Sequence, residues 1–234
     1  MISLKQFSNG FEYLEVINKV AKAKIALQGA HIFQYTKIGQ KPLLWLSEVS
    51  EFKVGRAIRG GVALCWPWFG MNKTDINKLQ HGFVRTMIWQ LLESNETDDC
   101  TELTLILSSS KETMRLWPHK FELLYKIKIT NELTLELITK NCDLEAFTIT
   151  QALHTYFNIS NILKVYVSGL ENKPYFDSLE QENYLQSGSL LFNKEVDSIM
   201  HPKIKTTKSS FLIPPTYDTC SSSFSPLEFK LLSA

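Results

Sequence analysis

Between residues 121 and 139 the chain alternates apolar and polar side chains with a period of two. In FELLYKIKIT (121–130), Phe121, Leu123, Tyr125, Ile127 and Ile129 fall on one side, and Glu122, Lys126 and Lys128 on the other. A strand points successive side chains to opposite faces, so this pattern predicts a half-buried β-strand. LTLELIT (133–139) follows after Asn131 and Glu132, a spacing that predicts a hairpin. Similar short segments occur at FEYLEVI (11–17), KAKIALQ (22–28), ELTLILS (102–108), AFTITQAL (146–153) and LKVYVSG (163–169). KETMRLW (111–117) predicts a turn or two of helix, stopped by Pro118, which has no N–H to give. Many short strands and no long helix predict an all-β sandwich or barrel. No internal repeat or linker interrupts the first 200 residues.

The end of the chain breaks the pattern. Of the 29 residues from Thr206 to Ala234, fourteen are Ser, Thr or Pro, and no glycine follows Gly188. Tight turns that need positive φ have lost their usual residue there. The expectation is one sandwich domain over 1–205 and an atypical, poorly ordered tail over 206–234.

Length and charge narrow the function. A chain of 234 residues is ample to bury a core. With 25 Lys+Arg against 24 Asp+Glu, no overall field favours nucleic acid or an anionic membrane, so a bound anion must be held by a local cluster. The start, MISLKQFSNG, lacks the apolar core of a signal peptide, and no apolar run approaches the ~18 residues of a membrane span. A cytoplasmic location is expected. Cys65, Cys100, Cys142 and Cys220 lie far apart with no CxxC pair, which predicts reduced thiols and neither a zinc site nor a disulfide framework. Cys65 reads as a small buried apolar residue.

Four clusters carry candidate chemistry. IRGGVALCWPWFG (58–70) sets Arg59 beside two glycines and a run of aromatics, and reads as the wall of a pocket. LQHGFVR (79–85) gathers Gln80, His81 and Arg85 around a glycine; LHTYF (153–157) places His154 among strand-forming residues; EVDSIM (195–200) sets Asp197 between apolar neighbours. Taken singly, each has a plain reading: a core histidine, surface ion pairs, core tryptophans, a turn aspartate. Taken together, two guanidiniums with an amide and a histidine suit a phosphorylated or polyhydroxylated ligand. Arginine offers planar paired donors to phosphate oxygens. Gln and Asp supply directed bonds to hydroxyls, and aromatic rings give flat walls to the C–H faces of a sugar.

These stretches, in this order and with VSGLENKPYFD (167–177), resemble the glucose-6-phosphate 1-epimerase (hexose-6-phosphate mutarotase) family. QGAHIFQYTKIGQKPLLWLS (28–47) is similar to its opening strands, and the likeness covers roughly residues 10–200. The resemblance implies a galactose-mutarotase-like β-sandwich (supersandwich) that binds a sugar phosphate on one concave sheet face. It implies interconversion of the α and β anomers of an aldohexose 6-phosphate. Carried over residue by residue, it makes His154 the catalytic acid and Arg59, Gln80, Arg85 and Asp197 the substrate-binding residues. His81 and Asp177 also fall in matching motifs but rank below these. No metal or organic cofactor is implied, and a monomer is expected. The family's general base is a glutamate in a strand near the C-terminus, after a Trp-Asn-Pro segment and an aspartate-rich loop. No such strand is found after Lys205, and Glu228, the single glutamate after Glu195, has neighbours that do not fit the motif. The chain is therefore expected to lack the usual C-terminal segment. The alternative to an active epimerase is then a sugar-phosphate-binding protein, or a truncated inactive homologue.

Overall fold

The structure is a computed structural model, and it describes residues 1–200 with two short strands at 211–212 and 229–232. The chain divides into two compact units, Met1–Asn158 and Ile159–Ala234. The first unit holds β1 (Ile2–Gln6), β2 (Glu12–Ile17), β3 (Ala21–Ala26), β4 (His31–Lys37), β5 (Val62–Cys65), β6 (Gln90–Glu96), β7 (Thr101–Ser108), β8 (Phe121–Ile129), β9 (Leu133–Asn141) and β10 (Ala152–Thr155). They form two antiparallel sheets, ordered β1-β2-β3-β4-β5-β10 and β6-β7-β8-β9.

The alternation at 121–139 does what it predicts. β8 and β9 pair as a hairpin across residues 130–132, and β7 pairs on the other side. Leu103, Leu105 and Leu107 sit directly opposite Ile127, Tyr125 and Leu123, and all six are buried. Each such side chain contributes about 1.5–3 kcal/mol on full burial. The intervening positions pair charges across the outer face: Glu102 opposite Lys128, Lys126 opposite Glu136.

The six-stranded sheet closes the sandwich. Leu14, Val16, Ala23, Ile25, Ile32, Val62 and Leu64 share one apolar core with Leu103, Leu105, Leu123, Tyr125 and Ile127 of the facing sheet. Its other face is also covered: Phe11, Tyr13, Ala26, Phe33 and Ile58 form a second cluster, with Phe7, Leu46 and Phe52 against it. A bulge at Phe33 shifts the β3–β4 register, so that Ile25 pairs with Ile32 while Lys24 pairs with Gln34.

Two expected strands are shorter than their patterns. From the segment that begins with AFTITQAL at residue 146, only Ala152–Thr155 joins a ladder. Its partner β5 runs out at Cys65, opposite Ala152, and Pro67 just beyond has no N–H to continue the pairing. LKVYVSG keeps only β11 (Tyr166–Val167), because Asn161 caps a 3-10 turn at Ile162–Lys164, accepting from the Leu163 N–H at 2.9 Å. The expected helical turn is present as α1 (Lys111–Leu116), opened by a Ser110–Thr113 capping box and ended at Trp117.

In the second unit, β12 (Pro174–Asp177) and β13 (Glu182–Leu185) make a hairpin, β14 (Leu190–Leu191) pairs with β11, and β15 (Asp197–Met200) pairs with β12. The strands at 211–212 and 229–232 lie beside β11 and β15 respectively. Val167, Leu170, Leu190, Phe192, Val196 and Met200 form its core. Asp177 closes the hairpin turn, its carboxylate accepting from the N–H groups of Leu179 and Glu180. Apart from those two strands, the tail expected over 206–234 lies outside the described residues, as do its boundary at 205 and Glu228. Among the described residues no helix is long and apolar enough to cross a membrane.

Candidate functional site

Two glycines launch β5. Gly60 has φ of 110° and Gly61 of 63°, in the left-handed half of the map that side chains resist. A Cβ on Gly60 would lie 2.5 Å from the Trp45 carbonyl oxygen; one on Gly61 would lie 2.3 Å from the Ile32 carbonyl oxygen. The bare backbone thus slips between the segment at 45–46 and β4. Arg59 stands exposed just before this kink. Its N–H donates to Ser50 Oγ at 3.0 Å and its carbonyl accepts from the Ser47 N–H at 3.0 Å.

After β5 the chain turns back so that Trp66 bridges to Gly82. Gly82 fits only as glycine: its φ is 72°, and a Cβ would overlap the Trp66 carbonyl oxygen at 1.8 Å. This docking carries His81 and Gln80 alongside. The Gly70 N–H donates to His81 Nδ1 at 3.0 Å, so a neutral His81 carries its proton on Nε2. Trp68 Nε1–H holds the same loop through the Leu79 carbonyl at 2.9 Å. Arg85, in the 3-10 turn Val84–Thr86, folds back and donates to the Gln80 carbonyl at 2.7 Å.

His154 comes from β10, opposite Ala63 on β5. Leu153 packs toward the sandwich core, so His154 points from the other face of the sheet. Its ring stacks on Tyr156 (4.8 Å, 26°) and lies 5.7 Å from His81 and 6.2 Å from Phe69. Trp45 flanks Tyr156 at 5.9 Å. Burial pushes the Tyr156 phenol up, and the Cys65 thiol adds to this, while the charges of Arg85 and Arg59 pull against it. Both guanidiniums therefore act on the ring that stacks on His154. Among the described residues neither arginine forms an ion pair. A guanidinium with no carboxylate partner keeps paired donors to offer an anion. Among the described residues no group of three or more His, Cys, Asp or Glu gathers as a metal site.

Four of the five residues singled out from the sequence, Arg59, Gln80, Arg85 and His154, thus come from neighbouring elements of the first unit. Asp197 begins β15 in the second unit, half-buried, its carbonyl accepting from the Ser178 N–H at 2.7 Å. The aromatics after Arg59 divide, which corrects their reading as one pocket wall. Trp66 is fully buried and packs on Phe121 (4.5 Å) and Trp117 (5.0 Å) in the core. Phe69, by contrast, faces His81 at 4.8 Å. Cys65 is fully buried, as expected, and burial raises its thiol to about 12, against the pull of Arg85. Sequence reasoning missed Tyr156, although two residues beyond His154 is the same face of a strand.

The sequence profile of the family described as aldose 1-epimerase matches residues 13–214. The chain belongs to the aldose 1-epimerase family. It is 37% identical over 201 residues to a Salmonella typhimurium protein named "Putative glucose-6-phosphate 1-epimerase", covering 85% of this chain and 66% of that one. An Escherichia coli protein of the same name is 40% identical over 180 residues, 76% of this chain and 59% of that one. The chain therefore spans about two thirds or less of the length of these relatives. Among solved structures, YeaD from Salmonella typhimurium, a "putative mutarotase", superposes with a TM-score of 0.77 at 35% identity, over 86% of this chain and 69% of that one. A galactose mutarotase-like protein from Clostridium acetobutylicum gives 0.71 at 14% identity, over 91% of this chain and 75% of that one, a likeness of fold alone. The fold is the galactose-mutarotase-like β-sandwich implied by the sequence motifs.

Proposed function

We propose that this aldose 1-epimerase family member interconverts the α and β anomers of an aldohexose 6-phosphate. The observation that carries the reading is the stacked His154–Tyr156 pair, whose phenol feels the charges of Arg85 and Arg59, neither of them ion-paired among the described residues. In this reading the two guanidiniums hold the 6-phosphate at one end of the sugar. His154 at the other end gives a proton to the ring oxygen as the C1–O bond breaks. The proton of the anomeric hydroxyl leaves at the same time to a base, a role assigned to no described residue. The open aldehyde turns about C1–C2, and reclosure with the roles reversed gives the other anomer. Histidine suits the task because its ordinary pKa of ~6.5 allows exchange near neutrality. Gln80 binds sugar hydroxyls.

Anomer exchange of glucose 6-phosphate, followed by NMR, tests the proposal. Added protein is expected to speed exchange, and His154→Ala to lose ~10²–10⁴-fold of that acceleration. A folded wild-type protein that leaves the exchange rate unchanged would overturn the reading.

A further inference from the structure

β4 begins at His31, whose imidazole is 1% exposed and takes no part in the mechanism above. It lies beneath the glycine kink that precedes β5. The three carbonyls of that kink go to three different donors. The Arg59 carbonyl accepts from the Ser47 N–H at 3.0 Å, and the Gly61 carbonyl from the Tyr156 N–H at 2.8 Å. The Gly60 carbonyl, between them, is 2.8 Å from His31 Nε2. A carbonyl only accepts, so Nε2 carries the proton in this contact. The imidazole also occupies the space that glycine leaves: a Cβ on Gly61 would stand 2.8 Å from the same Nε2.

We propose that His31 is a positioning residue for phosphate recognition, fixing through the Gly60 carbonyl the backbone from which Arg59 reaches the sugar's 6-phosphate. The proposal rests on the epimerase reading above. Two adjacent glycines have wide conformational freedom, and rotation of the Gly60 peptide would swing the arginine that precedes it. A guanidinium matches phosphate oxygens with paired, directed donors, so its approach must be set within a narrow range. Burial, with the Arg85 charge adding to it and the Gly60 bond opposing, brings the His31 pKa down to about 4. At neutral pH the ring is therefore an uncharged donor to the Gly60 carbonyl.

The test compares wild type, His31→Leu and His31→Gln in exchange of glucose 6-phosphate at neutral pH. His31→Leu orphans a buried carbonyl, and KM is expected to rise about tenfold with kcat within about twofold. In His31→Gln an amide N–H reaches toward the same carbonyl, and KM is expected back within about twofold of wild type. An unchanged KM in His31→Leu would overturn the proposal, as would a loss confined to kcat or a glutamine that fails to restore KM. If the leucine variant does not fold, His31→Asn, whose amide falls short of Gly60, replaces it with the same expected gap from glutamine. If the wild type does not speed exchange at all, the function reading fails on its own. Calorimetric affinity for glucose 6-phosphate then replaces KM, and the tenfold loss restored by glutamine is still what the proposal requires.

Discussion

The two sheets of the first unit are built from different kinds of sequence. No glycine occurs between Gly82 and Gly169, the stretch that forms the four-stranded sheet. The first 82 residues, which supply five of the six strands of the other sheet, hold eight, and every one has positive φ. One sheet is regular, with leucines inside and charges outside, and its work is burial. The other is made of short strands interrupted by kinks, both of its faces are covered, and its kinks launch β5 just after Arg59 and bring His81 beside His154. Regular alternation builds a core; it does not bring residues from distant parts of the chain to one spot.

Breaking a kink should have the largest effect. Gly82→Ala forces a side chain into the left-handed region and onto the Trp66 carbonyl oxygen. Strain and overlap together are expected to cost at least about 3 kcal/mol, read as a lower urea midpoint. Loss of the site should accompany it, because the same docking carries Gln80 and His81. A variant of unchanged stability would show that the loop does not depend on this contact.

The same difference explains what is legible in the sequence. β7, β8 and β9 are readable because water bathes one face, so Glu102, Lys126 and Lys128 mark every second position. β5 does not read as a strand: Val62 and Leu64 face the core while Ala63 and Cys65 are buried on the other side, and no polar residue breaks the run. β6 escapes for the opposite reason, being an edge strand exposed at all seven positions. The site residues are found through motif order, since their meeting depends on kinks whose geometry no period encodes. His31 carries no signal, because a buried imidazole bonded to a backbone carbonyl leaves only an isolated histidine in an apolar stretch.

A second test separates the sheets by pH. His31 has a folded pKa of about 4, and about 6.5 when unfolded. The unfolded chain therefore binds this proton first as pH falls. Stability from the neutral buried ring is complete above ~6.5 and is lost as pH drops toward 4, by about 3 kcal/mol in all. The Cys65 thiol, raised to about 12, stays neutral across this range. The measurement is the unfolding free energy of wild type minus that of His31→Gln, and the difference should fall between those two values. A flat difference would place His31 elsewhere than beneath the kink. The buried titratable group of the regular sheet, Tyr125, has its phenol pushed up by burial, so it adds nothing in this range.

The smallest effect belongs to the outer face of the regular sheet. Lys128 and Glu102 sit directly opposite each other with N···O at 2.8 Å, which raises the lysine's pKa. Short as it is, the contact joins side chains that are 50% and 46% exposed, so water and salt replace most of it when either partner is removed. Lys128→Met, Glu102→Gln and the double variant are expected to leave the urea midpoint unmoved at physiological ionic strength. A double-mutant cycle measures the coupling directly. Coupling on the scale of the Gly82 effect would mean that the charged face does more than meet solvent, and the division of labour between the sheets would fail. A null cycle would sharpen it, because a 2.8 Å contact between exposed groups would then stabilise less than one glycine holding a loop against a tryptophan carbonyl.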